Sequence, residues 1–232
     1  MKATAPNPSA ESAELRKGAL AREKMLQAAL VVFGEHGFDG ATTRMLAHEA
    51  RMNLGAIPYY FGSKEDLYAQ AADYLASFIE VRQAERLQRL QTDAARLTHK
   101  SALCDLVVDF LVGQAKIVLT ENIPTSWLHF FLRAQAEQGQ AFDCLNRRVI
   151  EPAQSILTPL VGRIIGRAHD DPVTRTVAFL GIHQALYIRL ADSMLMHRMG
   201  WDAITPARIE SLLDTVGQAL RAQLMHYPEQ RV

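Results

Sequence analysis

The chain has 232 residues, 25 Lys and Arg balancing 25 Asp and Glu, and a 49% hydrophobic share. That composition belongs to a globular protein with a core of its own, and it excludes a fibre or a disordered tail. Two cysteines, Cys104 and Cys144, make no disulfide framework and lack the spacing of a metal site. No apolar run reaches the roughly 18 residues of a membrane-spanning helix. The first residues hold no apolar targeting segment, so the expected compartment is the cytoplasm. A neutral total argues against a nucleic-acid partner unless the positive charges are gathered locally.

The 33 Ala and 28 Leu outnumber 25 Val plus Ile. Ala and Leu lose least on entering a helix, so an all-α fold is expected. Residues 1–17, rich in Ala, Pro, Ser and Glu, read as a disordered arm. A helical period then begins at Ala19, with Leu26, Ala29, Leu30 and Phe33 on one face. Gly37 ends it, and Phe38 folds back on the last turn. Thr42 or Thr43 caps a two-turn helix carrying Leu46 and Ala50. After the connection Arg51-Met52-Asn53 comes a short segment, Leu54 to Tyr60.

Ser63-Lys64-Glu65-Asp66 is a strong helix start, with Ser as cap and two acids in the first turn. The following helix runs to about Gln91, and its Arg82, Arg86 and Arg89 read as a solvated face. Further helices are expected over 101–120, 124–138, 141–167, 172–199 and 206–226. Asp171-Pro172 and Thr205-Pro206 mark two of the starts, and Gly200 closes the segment between them. Pro152 and Pro159 leave 141–167 either kinked or broken in two.

Helix, turn, two-turn helix, three-residue turn and short helix make a helix-turn-helix unit. In such a unit the last short helix enters the DNA major groove. Between residues 42 and 64, Arg44, Arg51 and Lys64 stand against Glu49 alone. Thr42, Thr43, Tyr59 and Tyr60 add hydroxyls that reach phosphates, and Gly55 and Ala56 let the backbone approach bases closely.

The run Thr42-Thr43-Arg44-Met45-Leu46-Ala47-His48-Glu49-Ala50, followed by Asn53 through Leu67, resembles the TetR-family DNA-binding domain. Tyr59-Tyr60-Phe61-Gly62-Ser63-Lys64-Glu65-Asp66-Leu67 is similar to that family's hallmark. Residues 53–64 and the run Met199-Gly200-Trp201-Asp202 also resemble the CecR-like branch. The resemblance implies a DNA-binding domain over 18–78 and an effector-binding and dimerisation domain over 79–232. It implies phosphate contacts at Thr43, Tyr59, Tyr60 and Lys64, and base-proximal positions at Arg44, Asn53, Gly55, Ala56 and Pro58. Two residues depart from the pattern. Arg51 stands where family members commonly have Gly, and Pro58 lies within the reading helix.

The structural alternatives stand beside these roles. Phe33, Leu46, Ala50, Ile57, Phe61 and Leu67 suit the core of the small domain, and Tyr60 suits either core or phosphate. Lys64 opposes the helix dipole, which favours a phosphate role over a structural one.

The C-terminal part shows no catalytic signature, no metal spacing among its scattered histidines and no cofactor loop, so neither an enzyme nor a bound cofactor is expected. Ala178, Gly181, Ile182, Ala185 and Ile188 form one small apolar stripe. Ile209, Leu212, Leu213, Val216, Leu220 and Leu224 form another. They serve either a homodimeric four-helix interface or the chain's own core. Trp127, Phe130 and Phe131, with Arg133 interleaved, are the expected effector pocket together with Phe110 and Tyr187. The expected partners are operator DNA, a small-molecule effector and a second copy. The rival reading is an all-α carrier or enzyme whose N-terminal unit contacts protein.

Overall fold

The computed structural model describes residues 8–121 and 123–227, and side chains over 15–121, 123–184 and 187–227. All regular structure among the described residues is helical. In chain order the helices are α1 (Pro8–Gly40), α2 (Thr43–Glu49), α3 (Ala56–Tyr60), α4 (Lys64–Ala94), α5 (Lys100–Thr120) and α6 (Thr125–Glu137). Then come α7 (Gln140–Leu145), a π-helical turn (Asn146–Ile150), α8 (Glu151–Ile165), α9 (Pro172–Leu190), α10 (Asp192–Met199) and α11 (Pro206–Met225).

The chain divides into two compact units. Residues up to Ser77 join 124–145, and 78–123 join the chain from Asn146 onward. Segment 124–145 therefore groups with the N-terminal helices, and the reason lies on α1. At Gly34 a Cβ would sit 1.9 Å from the Ser126 carbonyl oxygen, so only glycine lets α6 lie this close. Phe33, Phe38, Tyr68 and Phe130 fill the space beside this contact, with ring centroids 4.9–6.5 Å apart. Tyr68 donates to Glu137 Oε2 at 3.0 Å, and burial, then Glu137, push its phenol well above the usual tyrosine range.

The expected arm is corrected in part. Residues 8–17 belong to α1, and residues 1–7 lie outside the described residues. The Ala- and Glu-rich stretch simply continues the helix that Ala19 onward requires, since such residues propagate a helix readily. Gly37 does bend α1, with φ 71°, where a non-glycine residue would be strained. Arg133 caps the bend, its Nε donating to the Gly34 carbonyl at 3.0 Å and Nη2 to that of Glu35 at 3.4 Å.

In the second unit α5 is the central helix. Cys104, Val107 and Leu111 pack with Leu157, Val161 and Ile164 of α8, Ala178 of α9 and Leu220 of α11. The caps expected at Asp171 and Thr205 are present: Asp171 accepts from Val173 N at 2.7 Å and Thr205 from Arg208 N at 3.3 Å. The proline-containing stretch is not broken: the π-helical turn leads into α8 with Ile150 still in helical conformation, so the irregularity at Pro152 is the wide turn just before it, and Pro159 lies inside α8. Arg148 from that turn donates to Glu80 at 2.8 Å and holds its carboxyl below the usual range.

The Gly34 contact gives a direct test. Gly34→Ala forces α1 and α6 apart and costs about 1–3 kcal/mol through overpacking. A thermal scan should show the melting midpoint fall by several degrees; an unchanged midpoint would contradict the packing.

Candidate nucleic-acid interface

The unit's small core holds α2 and α3 at a fixed angle through Leu46, Ala50, Ile57, Phe61 and Leu67, all at most 6% exposed. Thr42 caps α2, its Oγ1 accepting from Met45 N at 3.2 Å. The turn after α2 is a Schellman motif built on Arg51. Its N–H reaches His48 O at 2.9 Å, and Met52 N–H reaches Ala47 O at 2.9 Å. Arg51 takes φ 52°, the left-handed conformation that glycine supplies without strain. The departure at this position thus leaves the turn intact and places a cation in it.

Pro58 also fits. With Gly55 as cap, Pro58 is the third residue of α3, where backbone N–H groups have no partner within the helix. Tyr59 N still bonds Gly55 O at 3.2 Å, and Phe61 N bonds Ile57 O at 2.9 Å. Ser63 caps α4, its Oγ accepting from Asp66 N at 3.0 Å and donating to Asp66 Oδ2 at 2.7 Å.

Of the residues expected at DNA, Thr42, Thr43, Arg44, Arg51, Asn53, Gly55, Pro58 and Tyr59 are all exposed. Tyr59 is 80% exposed and stands edge-on to Tyr60, which is half-buried. Arg44, Arg51 and Lys64 make no ion pair among the described residues. Two expectations change. Ala56 is 6% exposed and belongs to the core, because the first turn of α3 rests on α2. Lys64 has a structural partner after all: its ammonium lies 4.4 Å over the Phe38 ring, which offsets its unfavourable place in the helix dipole. One neighbour was not legible in the motif. Arg22 of α1 holds its guanidinium 5.3 Å over Phe61 and donates to Gln70.

The residues expected around an effector divide between the units. Trp127, Phe130 and Phe131 are buried in the first, with Trp127 edge-on to Tyr74 at 6.0 Å. Arg133 caps α1, as described above. In the second, Phe110 is 6% exposed in the core and Tyr187 is 61% exposed.

The expected interface stripe is shared in part with the chain's own core. Ala178 is buried, and a Cβ on Gly181 would meet Leu111 at 3.1 Å, so the small residues of α9 serve close packing on α5. Leu213 and Leu220 are core, as is Ile209, while Ile182, Leu212, Val216 and Ile188 are half-buried; the side chain of Ala185 lies outside the described residues. The outward face of α9 instead carries Phe179, Leu180 and Tyr187, each at least 45% exposed. No group of three or more metal-ligating side chains occurs among the described residues, and none of their helices is long and apolar enough to cross a membrane.

Comparison with known proteins fits this arrangement. Residues 25–71 match the family model of bacterial regulatory proteins of the tetR family. Residues 104–225 match that of the C-terminal domain of the HTH-type transcriptional dual regulator CecR. The chain belongs to the TetR family, in its CecR branch. It is 34% identical to the HTH-type transcriptional dual regulator CecR of Shigella flexneri over 86% of this chain and 89% of that protein. It is 33% identical to the HTH-type transcriptional repressor NicS of Pseudomonas putida over 72% of this chain and 74% of that one. The crystal structure of the regulator FadR from Bacillus subtilis in complex with stearoyl-CoA shares the fold, with a TM-score of 0.50 and 15% identity. It covers 86% of this chain and 97% of that one. These relatives of this TetR-family regulator are transcriptional regulators, not enzymes.

The strained turn makes a second test. Arg51→Gly relieves the left-handed strain and raises stability by about 1 kcal/mol in denaturant unfolding. A loss of stability would show that the Arg51 side chain holds the turn.

Proposed function

We propose that this regulator is a homodimeric repressor that binds a palindromic operator and releases it when a small molecule occupies its second unit, which differs from the expected 79–232 in leaving 124–145 to the first. The observation that carries the DNA-binding part is the exposed α2–α3 face. It presents two arginines that make no ion pair among the described residues and a tyrosine ring left 80% in water. A duplex supplies what they lack, with phosphates for the cations and hydroxyls and a groove for the ring. In this reading Thr43, Tyr59, Tyr60 and Lys64 bind phosphates, Arg51 joins them from its turn, and Arg44, Asn53, Gly55 and Pro58 lie nearest the bases.

One α3 of five residues covers too few base pairs for selectivity, so a two-fold pair reading grooves about 34–36 Å apart is required. The exposed Phe179, Leu180 and Tyr187 of α9 supply an apolar face for that pairing. Repression is supported by the relative named as a repressor, NicS, and small-molecule control by the stearoyl-CoA complex of FadR. Such a protein works where the chromosome is, in the cytoplasm.

Two measurements decide this. Genomic fragments retained by the purified protein are used in gel shifts, where Tyr59→Ala should weaken binding at least ten-fold with an unchanged melting midpoint. Log affinity should also fall steeply with log salt, by close to one unit for each phosphate engaged. Unchanged affinity would remove Tyr59 from the interface, and a flat salt slope would end the DNA-binding reading. For the dimer, Phe179→Glu should give a monomer in sedimentation velocity; a persistent dimer would place the interface elsewhere.

A further inference from the structure

Helix α1 runs through a solvated stretch before it reaches the core. None of residues 15–24 is buried, and burial starts at Met25. Along this stretch Arg16, Lys17, Arg22 and Lys24 stand against Glu23 alone. Glu23 is already taken, since the Tyr74 hydroxyl donates to its Oε1 at 3.1 Å. None of the four cations makes an ion pair among the described residues.

Arg22 differs from the other three in being held. Its guanidinium carbon lies 5.3 Å over the Phe61 ring, and Nη2 donates to Gln70 of α4. Phe61 closes α3. Its ring centroid is 6.4 Å from that of Tyr60, which in turn stands 4.7 Å from that of Tyr59. A cation of α1 is thereby fixed at one end of a row of three rings, whose other end, Tyr59, stands in water.

The two neighbours hold the charge without cancelling it. A glutamine oxygen accepts an N–H bond and an aromatic face attracts a cation, yet neither carries a negative charge. A mere brace between α1 and α4 would be served at least as well by an acid at position 70, which takes two parallel N–H groups of a guanidinium. The other N–H groups of Arg22 make no hydrogen bond among the described residues, and the residue is exposed.

We infer that Arg22 is a further DNA contact: its unused N–H groups take a backbone phosphate beside the groove that α3 enters, so α1 widens the grip of the helix-turn-helix unit. The planar fork of arginine matches phosphate oxygens. Phe61 and Gln70 set the guanidinium beforehand, so little side-chain freedom is lost on contact. Arg16 and Lys17, more than a turn further out, add to the positive field around it. This assignment rests on the operator reading above and adds a contact from outside the recognised motif.

The test titrates the full-length protein against a retained genomic fragment over a range of salt concentrations. Arg22→Met keeps a stem on Phe61 and loses the charge. It should weaken binding roughly five-fold or more and lower the log–log salt slope by about one unit per subunit bound. Arg22→Lys keeps the charge and loses the fork, so it should keep the slope and lose part of the affinity. Gln70→Ala loosens the guanidinium and should weaken binding at an unchanged slope. Lys24→Met removes an equal charge about 200° around α1 and should leave the slope as in the wild type. Unchanged affinity and slope in Arg22→Met would overturn the assignment. So would weaker binding at an unchanged slope with a lower melting midpoint, the mark of a brace. Equal slope losses in Arg22→Met and Lys24→Met would also overturn it, as the sign of general attraction. A flat slope in the wild type ends the operator reading and this assignment together, whereas a defect in Tyr59→Ala with none in Arg22→Met removes Arg22 alone.

Discussion

At Gly34 the backbone of α1 meets the Ser126 carbonyl with no room for one more carbon, and the first unit is organised around that contact. It draws α6 onto α1. Arg133 is thereby brought within reach of the carbonyls freed where α1 bends, and Phe130 enters the ring cluster around Phe33. The same helix carries Glu137, which receives the Tyr68 hydroxyl from α4. The reading unit is therefore not a free-standing three-helix module. Its first helix is capped, packed and anchored by a segment that arrives some sixty-five residues after the reading helix has ended.

Charge follows a comparable logic. The protein is neutral overall, and several arginines of the second unit are matched: Arg82 with Glu121, Arg148 with Glu80, Arg167 with Asp171, Arg189 with Asp192 and Arg221 with Asp105. On α2 and its turn Arg44 and Arg51 stand unmatched. Exposed pairs contribute little to stability, so this pairing matters chiefly for what it leaves over. Arg44 and Arg51 put positive charge on the face that presents α3, and the neutral total limits attraction to polyanions in general.

The glycines and small residues of the long helices show how one sequence signal can serve two ends. A stripe of Ala178, Gly181 and Ile182 permits close helix approach, and nothing in its spacing says whether the neighbour is the same chain or another. In the folded chain α5 claims it, and Gly217 of α11 is likewise closed by Val112. The opposite face of α9 is exposed, with Phe179 stacked on His183 at 3.9 Å and Tyr187 a further turn along.

The local features were readable without the fold because short-range chemistry determines them. The Ser63 and Thr42 caps, the bend at Gly37, the Asp171-Pro172 and Thr205-Pro206 starts, and the Tyr59–Leu67 run all act within a few residues of themselves. So did the all-α class, which follows from Ala and Leu outnumbering the β-branched residues. What only the tertiary structure decided is which surfaces those helices turn toward each other. Trp127 and Phe130 have the spacing of a pocket wall and the location of a core; Arg133 has the look of a ligand group and caps a helix. Arg86 has the spacing of a solvated residue and lies across Gly113. Each of these depends on a neighbour at least 27 residues away in the chain, and helical periodicity carries no record of that neighbour.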